Sequence, residues 1–203
     1  MTFSQRFNAI FDRTVEDYHK SDNVDALIHN PYEKNTLDNM LYQKNWIDSV
    51  QWHLEDIIRD PDIDPVKALE IKRRIDRSNQ ERTDLVEQID QYFIDIYRNV
   101  KVKDKAGLNT ETPAWAIDRL SILALKIYHM REESLRRDAE PGHITRCSEK
   151  LQKLLSQRED LSGAIDSLLD EIASGAKMIK SYRQMKMYND PSLNPVLYSG
   201  GKK

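Results

Sequence analysis

The sequence predicts an all-α protein, a bundle of about five helices. Of its 203 residues, 39% are hydrophobic and 32% are charged, with only 6 glycines and 7 prolines. Many charges and few helix breakers suit long amphipathic helices better than a sheet. The alternation of apolar and polar residues that marks a strand is not sustained over any useful length. We expect one helical domain over residues 1–187, followed by a non-helical tail over residues 188–203.

The first two helices are predicted from their starting signals. Thr2 and Gln5 have the spacing of a capping box, in which each side chain satisfies a backbone N–H of the other, so a helix is predicted over residues 3–19. Thr36 can cap a second helix over residues 37–59, which stops before a proline.

The third and fourth helices begin with the same signal, a capping side chain followed by proline at the first helical position. Asp64-Pro65 opens the third helix, over residues 65–100, and Thr112-Pro113 opens the fourth, over residues 113–137. The fourth helix is apolar nearly all round. A helix without a polar face must be surrounded by others, so we place it at the centre of the bundle.

The fifth helix is predicted over residues 141–187. Its apolar residues follow alternating steps of four and three, a heptad pattern typical of a coiled coil. At ~1.5 Å per residue such a helix would be about 60–70 Å long. We therefore expect one end to protrude, to bend at Gly163 or Gly175, or to pair with a second chain in a homodimer.

Charge, cysteine content and hydropathy restrict the class of protein. The net charge of −3 argues against a general nucleic-acid binder. The single cysteine, Cys147, cannot form an internal disulfide, and no apolar run is long enough for a transmembrane segment, so we expect a cytoplasmic protein. From Lys177 onward, six basic residues accompany one acid. These cations either complement a helix end or attract an anionic membrane surface.

One cation lies where the third helix should be apolar. Arg82 falls in the middle of the apolar side, with Asn79 beside it and Asp76 and Asp90 along its edge. Burying a guanidinium without partners is costly, so Arg82 marks either a structural ion network or a binding site. In the structural alternative, Arg82 pairs with Glu55 or Asp48.

A polar line on the second helix, from Lys44 to Glu55, is placed to face Arg82 if the second and third helices pack antiparallel. Acids that meet from two helices are a usual way for bundles to hold Mg²⁺ or Mn²⁺. Arginine and amide side chains can orient an anionic ligand such as a nucleotide or a nucleotide-sugar. The predicted metal ligands are Asp48, Glu55, Asp76 and Asp90, and the predicted ligand-binding residues are Gln51, Asn79 and Arg82.

Histidines give a second signal. Four of the five have an acid three residues away, a mild excess. His129 shares a face of the crowded fourth helix with Asp118, so it is either an acid–base catalytic residue or a hydrogen-bonded structural histidine. His53 projects away from the main apolar arc of its helix, and we expect it on the surface or against a partner. The chain has no zinc-type Cys/His spacing and no glycine-rich phosphate loop.

Several segments resemble a family of uncharacterised bacterial proteins, the domain of unknown function number 4254. They are HNPY (29–32), WIDSVQWHLED (46–56), RIDRSNQER (74–82), PAWAIDRLS (113–121) and YNDPSLNP (188–195). The resemblance spans nearly the whole chain and implies an all-helical fold. It supplies no activity and no catalytic residue. It also implies an association with cell-envelope glycan synthesis, through neighbouring glycosyltransferase genes.

Two functional hypotheses follow. In the first, the polar interior binds an anionic small ligand, with or without a divalent metal. In the second, the protein is a non-enzymatic scaffold, and its fifth helix and basic tail recruit another chain or a membrane surface.

Overall fold

The structure, a computed structural model, describes residues 1–184, 187 and 190–199. Within these residues the chain forms five long helices, which confirms the predicted all-α bundle. A two-residue parallel pairing joins β1 (Gly107–Leu108) to β2 (Lys177–Met178). The helices are α1 (Phe3–His19), α2 (Leu37–Ile57), α3 (Pro65–Tyr97), α4 (Pro113–Ser134), α5 (Pro141–Ala173) and the short α6 (Pro195–Ser199).

The predicted starting signals act as helix caps. Thr2 accepts from the backbone N–H of Gln5 in a complete capping box. Thr36 and Thr112 each accept from the backbone N–H three residues on. Asp64 accepts from the backbone N–H groups of Val66 and Lys67. These bonds satisfy backbone donors that the first turn of a helix leaves without a partner.

The predicted central position of α4 is confirmed by its packing, since α4 contacts α1, α2, α3 and α5. Half of its residues, 11 of 22, are buried. Two of these are polar, Asp118 and Ser121, and both belong to the site described below. None of the described helices has both the length and the apolar character needed to cross a membrane.

The fifth helix ends at Ala173 rather than near residue 187, and Gly175 is the reason. Gly175 has φ +70°, a left-handed conformation that favours glycine, and a Cβ there would collide with the carbonyl of Lys101. The N–H of Ala176 donates to the carbonyl of Glu171 at 2.8 Å and closes the helix end. The chain then leaves α5 to pair β2 with β1.

At 33 residues, α5 is about 50 Å long. It packs mainly along α4 of the same chain, so part of the heptad stripe has an intramolecular partner. Pairing of two fifth helices in a homodimer stays a prediction, as does the division into a domain and a tail. Within the predicted non-helical tail, residues 195–199 form α6, whereas positions 188, 189 and 200–203 lie outside the described residues.

Candidate functional site

Four charged side chains meet where α2, α3 and α4 pack together. Lys44 forms ion pairs with Asp48 and, at 2.7 Å, with Asp118. Arg82 donates from Nε and Nη2 to the two carboxylate oxygens of Asp118, at 2.8 and 2.5 Å. Its Nε also lies 3.4 Å from Oδ1 of Asp48. We call Lys44, Asp48, Arg82 and Asp118 the buried ion network.

The spacing of these residues along α2 and α4 places them on the faces where the two helices meet. Lys44 and Asp48 are four residues apart on α2 and therefore lie on one face. Asp118 and Ser121 lie three residues apart on α4. Ser121 Oγ donates to Asp48 at 2.6 Å and accepts from Asn45 Nδ2 at 2.9 Å, so a hydroxyl links the network to a second buried polar group.

The network has two cations and two carboxylates, and Lys44, Asp48 and Asp118 are buried. Burial alone would raise the pKa of Asp118, but Lys44 and Arg82 outweigh that effect and hold its pKa below the ordinary value. For Asp48, burial is the stronger influence and raises its pKa, although Lys44 and Arg82 act in the opposite direction. Opposite charges therefore balance within the network, and its ion pairs connect α2, α3 and α4.

A cavity of about 320 Å³ opens beside the network, with Asp48 and Arg82 in its wall. Gln51 also borders it and is fixed by two bonds, donating to Asn79 at 3.0 Å and accepting from Ser78 at 3.2 Å. The complete lining is Asp48, Gln51, Trp52, Glu55, Asp56, Arg59, Arg82, Ile122 and Leu125.

The structure brings four of the seven predicted metal and ligand residues into this wall: Asp48, Gln51, Glu55 and Arg82. Asn79 is tied to Gln51 just outside it. Asp76 lies apart on the surface, paired with Lys72. Asp90 also lies apart, accepting from the N–H of Ala114 at the start of α4 at 3.1 Å.

No three of the predicted metal-binding acids bring their oxygens within 4.8 Å of one another in the described part of the chain. Lys44 and Arg82 already neutralise the carboxylate of Asp48. Metal binding by Asp48, Glu55, Asp76 and Asp90 together therefore stays a prediction, and the separation of Asp76 and Asp90 from the cavity does not favour it.

His129, the predicted catalytic residue, does not border the cavity. It lies behind Trp52, whose indole stacks on the imidazole at 4.9 Å and 13°. There it meets His19 of α1 and His53 of α2. His53, expected on the surface, is 22% exposed, because α1 covers that face of α2.

Sequence reasoning missed the main partner of Arg82. The expected partner was Glu55 or Asp48, and Asp48 does lie 3.4 Å from Nε of Arg82, but Asp118 supplies the two-point contact. The available signal was an acid on a helix that is otherwise apolar nearly all round. Glu55 instead pairs with Arg59 at the cavity mouth, at 2.7 Å.

Fold and site together define a helical-bundle protein with a buried ion network beside a small cavity. The chain belongs to the family described as "Protein of unknown function (DUF4254)", which matches residues 38–181. That range contains the whole network and every residue of the cavity wall, whereas α1 precedes it. Neither a curated protein nor a solved structure matches the chain.

Proposed function

We propose that the protein binds a small anionic ligand of the nucleotide or nucleotide-sugar class in the cavity beside the buried ion network. One observation carries the proposal: an aromatic ring, two guanidinium groups and two carboxylates outside the network surround one space. Trp52, Arg59, Arg82, Glu55 and Asp56 supply these groups.

Each group has a chemical counterpart in such a ligand. Arg59 is 67% exposed and pairs with Glu55, so a phosphate can replace that carboxylate at its guanidinium. Arg82 is tied to Asp118 and contributes a fixed positive charge at the wall. Glu55 and Asp56 can accept hydrogen bonds from sugar hydroxyls.

A divalent cation fits the same scheme in a limited way. Mg²⁺ usually binds one or two carboxylates together with the phosphates of its ligand, and it keeps several waters. Glu55 and Asp56 can provide these carboxylates for Mg²⁺ or Mn²⁺. Asp76 and Asp90 are not needed for this arrangement. The volume of about 320 Å³ is near the lower end of small-molecule sites, which favours a mononucleotide over a nucleotide-sugar.

Thermal unfolding in the presence of ligands tests this proposal. The purified protein is melted with nucleoside mono- and diphosphates and nucleotide-sugars, each with and without Mg²⁺ or Mn²⁺. A ligand at 100 times its Kd stabilises the folded state by about 2.7 kcal/mol. For a chain of this size, that raises the Tm by roughly 5–10 °C.

Arg59→Gln should remove most of the rise in Tm, because the phosphate loses its guanidinium partner. Arg98→Gln is the matched control, since Arg98 is also exposed and pairs with an acid one turn away, Asp95, but does not border the cavity. A rise of equal size in both variants contradicts the proposal. No rise with any ligand also contradicts it, and favours the alternative of a scaffold associated with cell-envelope glycan synthesis.

A further inference from the structure

We propose that His19, His53 and His129 form a binding site for a transition-metal ion of the Zn²⁺ class. These three residues, here called the histidine cluster, come from α1, α2 and α4. One ring nitrogen of each lies within 4.8 Å of the other two. None of the three histidines borders the cavity, and Trp52 lies between the cavity and His129. The two sites share one side chain, Asp56, which borders the cavity and lies 3.8 Å from Nδ1 of His53.

The spacing of the nitrogens suits a metal. Nε2 of His19 and Nε2 of His53 are 3.2 Å apart. Zinc binds histidine nitrogen at about 2.0–2.1 Å, so two nitrogens on a tetrahedral ion lie roughly 3.3 Å from each other. The first two ligands are therefore already at ligand spacing. The third, from His129, reaches the same ion by a side-chain movement of about an ångström or two.

Hydrogen bonds at Nδ1 leave Nε2 as the nitrogen of His19 and of His129 that can bind a metal. Nδ1 of His19 lies 2.7 Å from the carbonyl oxygen of Val15. A carbonyl can only accept, so Nδ1 carries the hydrogen and Nε2 of neutral His19 presents its lone pair. Nδ1 of His129 is likewise 3.2 Å from the carboxylate of Glu132. Metal-binding histidines commonly donate their second N–H to a backbone carbonyl or a carboxylate.

The other nitrogen of His129 is the strongest single observation. Nε2 is buried and has no hydrogen-bond partner among the described residues. Other buried side-chain atoms of the described residues, such as Asn45 Oδ1 and Tyr18 Oη, also have no hydrogen-bond partner, but His129 Nε2 alone among them belongs to a group of metal-binding side chains. Buried polar atoms of this kind often bind an ion or a water molecule. Coordination of a metal would use the lone pair that the protein itself leaves unsatisfied.

His53 completes the set. In the metal-free protein its Nε2–H must donate to the lone pair of His19 Nε2, because two lone pairs would repel each other. On metal binding that hydrogen moves to Nδ1, which lies 3.8 Å from the carboxylate of Asp56. Asp22, at 3.6 Å from Nε2, adds a second negative charge near the cation.

Stacked aromatic rings hold all three imidazoles in place. His19 stacks on Tyr128 at 4.1 Å, His53 on Tyr18 at 5.3 Å, and His129 on Trp52 at 4.9 Å. Such packing reduces the freedom that the ligands lose on binding an ion. Burial also lowers the pKa of His53 and of His129, which favours the neutral form that binds metals.

The ligand set restricts the ion. Three imidazoles without a directly coordinating carboxylate suit Zn²⁺, Co²⁺, Ni²⁺ or Cu²⁺ rather than Mg²⁺ or Ca²⁺. Three protein ligands leave a fourth tetrahedral position for water, the pattern of catalytic rather than purely structural zinc sites.

Metal titration tests the inference. The full chain is freed of metal with a chelator, and Zn²⁺ uptake is measured by calorimetry. Co²⁺ is added separately and followed by visible absorption. We expect one equivalent of metal bound, a tetrahedral Co²⁺ spectrum, and displacement of Co²⁺ by Zn²⁺. Absence of uptake, or an octahedral spectrum, would overturn the proposal.

Variants locate the bound ion. His53→Gln and His129→Gln should each weaken binding at least about 100-fold, and Glu132→Gln about 10–100-fold through loss of the bond to His129. His143→Gln is the matched control. His143 lies in the other described group of metal-binding side chains, with Glu133 and Cys147, and its loss should leave affinity unchanged. Binding that His143→Gln abolishes, or that His53→Gln leaves intact, would refute the assignment.

A measurement on the unaltered protein covers the case in which a variant fails to fold. Imidazole nitrogen NMR should show Zn²⁺-dependent shifts at Nε2 of three histidines, while His29 and His143 stay unchanged. Shifts confined to other histidines would reject the site. Arg59→Gln should bind Zn²⁺ normally, so failure of the ligand proposal and failure of the metal proposal are distinguishable.

Discussion

The buried ion network and the histidine cluster share two helices, α2 and α4, and differ in how their titratable side chains are paired. The network adds α3, and each of its charges has a counter-charge within bonding distance. The cluster adds α1 and leaves Nε2 of His129 buried without a partner among the described residues. Packing the same pair of helices against a third can therefore either pair buried charged groups with one another or leave a buried nitrogen without a partner.

The largest effect is expected from removing a charge from the network. Asp118→Asn keeps the shape of the side chain but removes the negative charge that faces two cations, Lys44 and Arg82. Breaking a buried ion pair by removing one partner costs about 3–5 kcal/mol, and we expect the free energy of unfolding in urea to fall by that amount.

The control for this variant is Asp95→Asn. Asp95 is exposed and pairs with Arg98 one turn away, so its loss should change stability by less than about 0.5 kcal/mol. Equal effects of the two substitutions would show that the network does not hold the helices together.

A smaller loss is expected from Ser121→Ala. The hydroxyl is fully buried, donates to Asp48 and accepts from Asn45, so its removal leaves two buried groups short of a bond. Such a loss costs about 1–3 kcal/mol. Urea unfolding measures it against Ser156→Ala, an exposed position on α5. A cost for Ser121→Ala no larger than that of the control would contradict the proposed link.

The smallest effect is a pH dependence that distinguishes the two regions. In the metal-free protein, burial lowers the folded-state pKa of His53 and His129 from the ordinary 6.5. The unfolded chain therefore binds more protons below that pH, and stability falls as the pH drops through about 6.5. The lowered pKa of Asp118, by contrast, costs stability only as the pH falls below its ordinary value of 3.8.

Measurement of the free energy of unfolding from about pH 8 to about pH 5 tests this pH dependence. The variant His53→Gln/His129→Gln should lose the decrease near pH 6.5, whereas His29→Gln, at an exposed position, should keep it. An unchanged decrease in the double variant would assign the titration to other groups.

The elements that could be predicted from the sequence depend on neighbouring residues. The caps at Thr36, Asp64 and Thr112 and the central position of α4 follow from side chains within a turn or two of each helix. The end of α5 was missed because Gly175 falls on the heptad stripe. The close approach of the Lys101 carbonyl, which leaves no room for a Cβ at this position, involves a residue far earlier in the chain.

In the candidate site, too, only residues with a signal in their own helix could be predicted. Arg82 and Asp48 could be singled out because each interrupts the pattern of its own helix. Asp118 and Lys44 could not be assigned as partners, since the order in which α3 and α4 pack depends on the loop between them. The histidine cluster could not be predicted because three helices form it. The acids beside His53 and His129 were a signal, but no local pattern connects these two histidines to His19.

Trp52 gives the cavity and the histidine cluster a common wall. Its indole borders the space beside Arg82 and, across the ring, lies parallel to the imidazole of His129. A movement of the indole on the cavity side therefore changes its contact with the imidazole on the other side. Because the same ring contacts both places, a change on either face alters the surroundings of one chromophore.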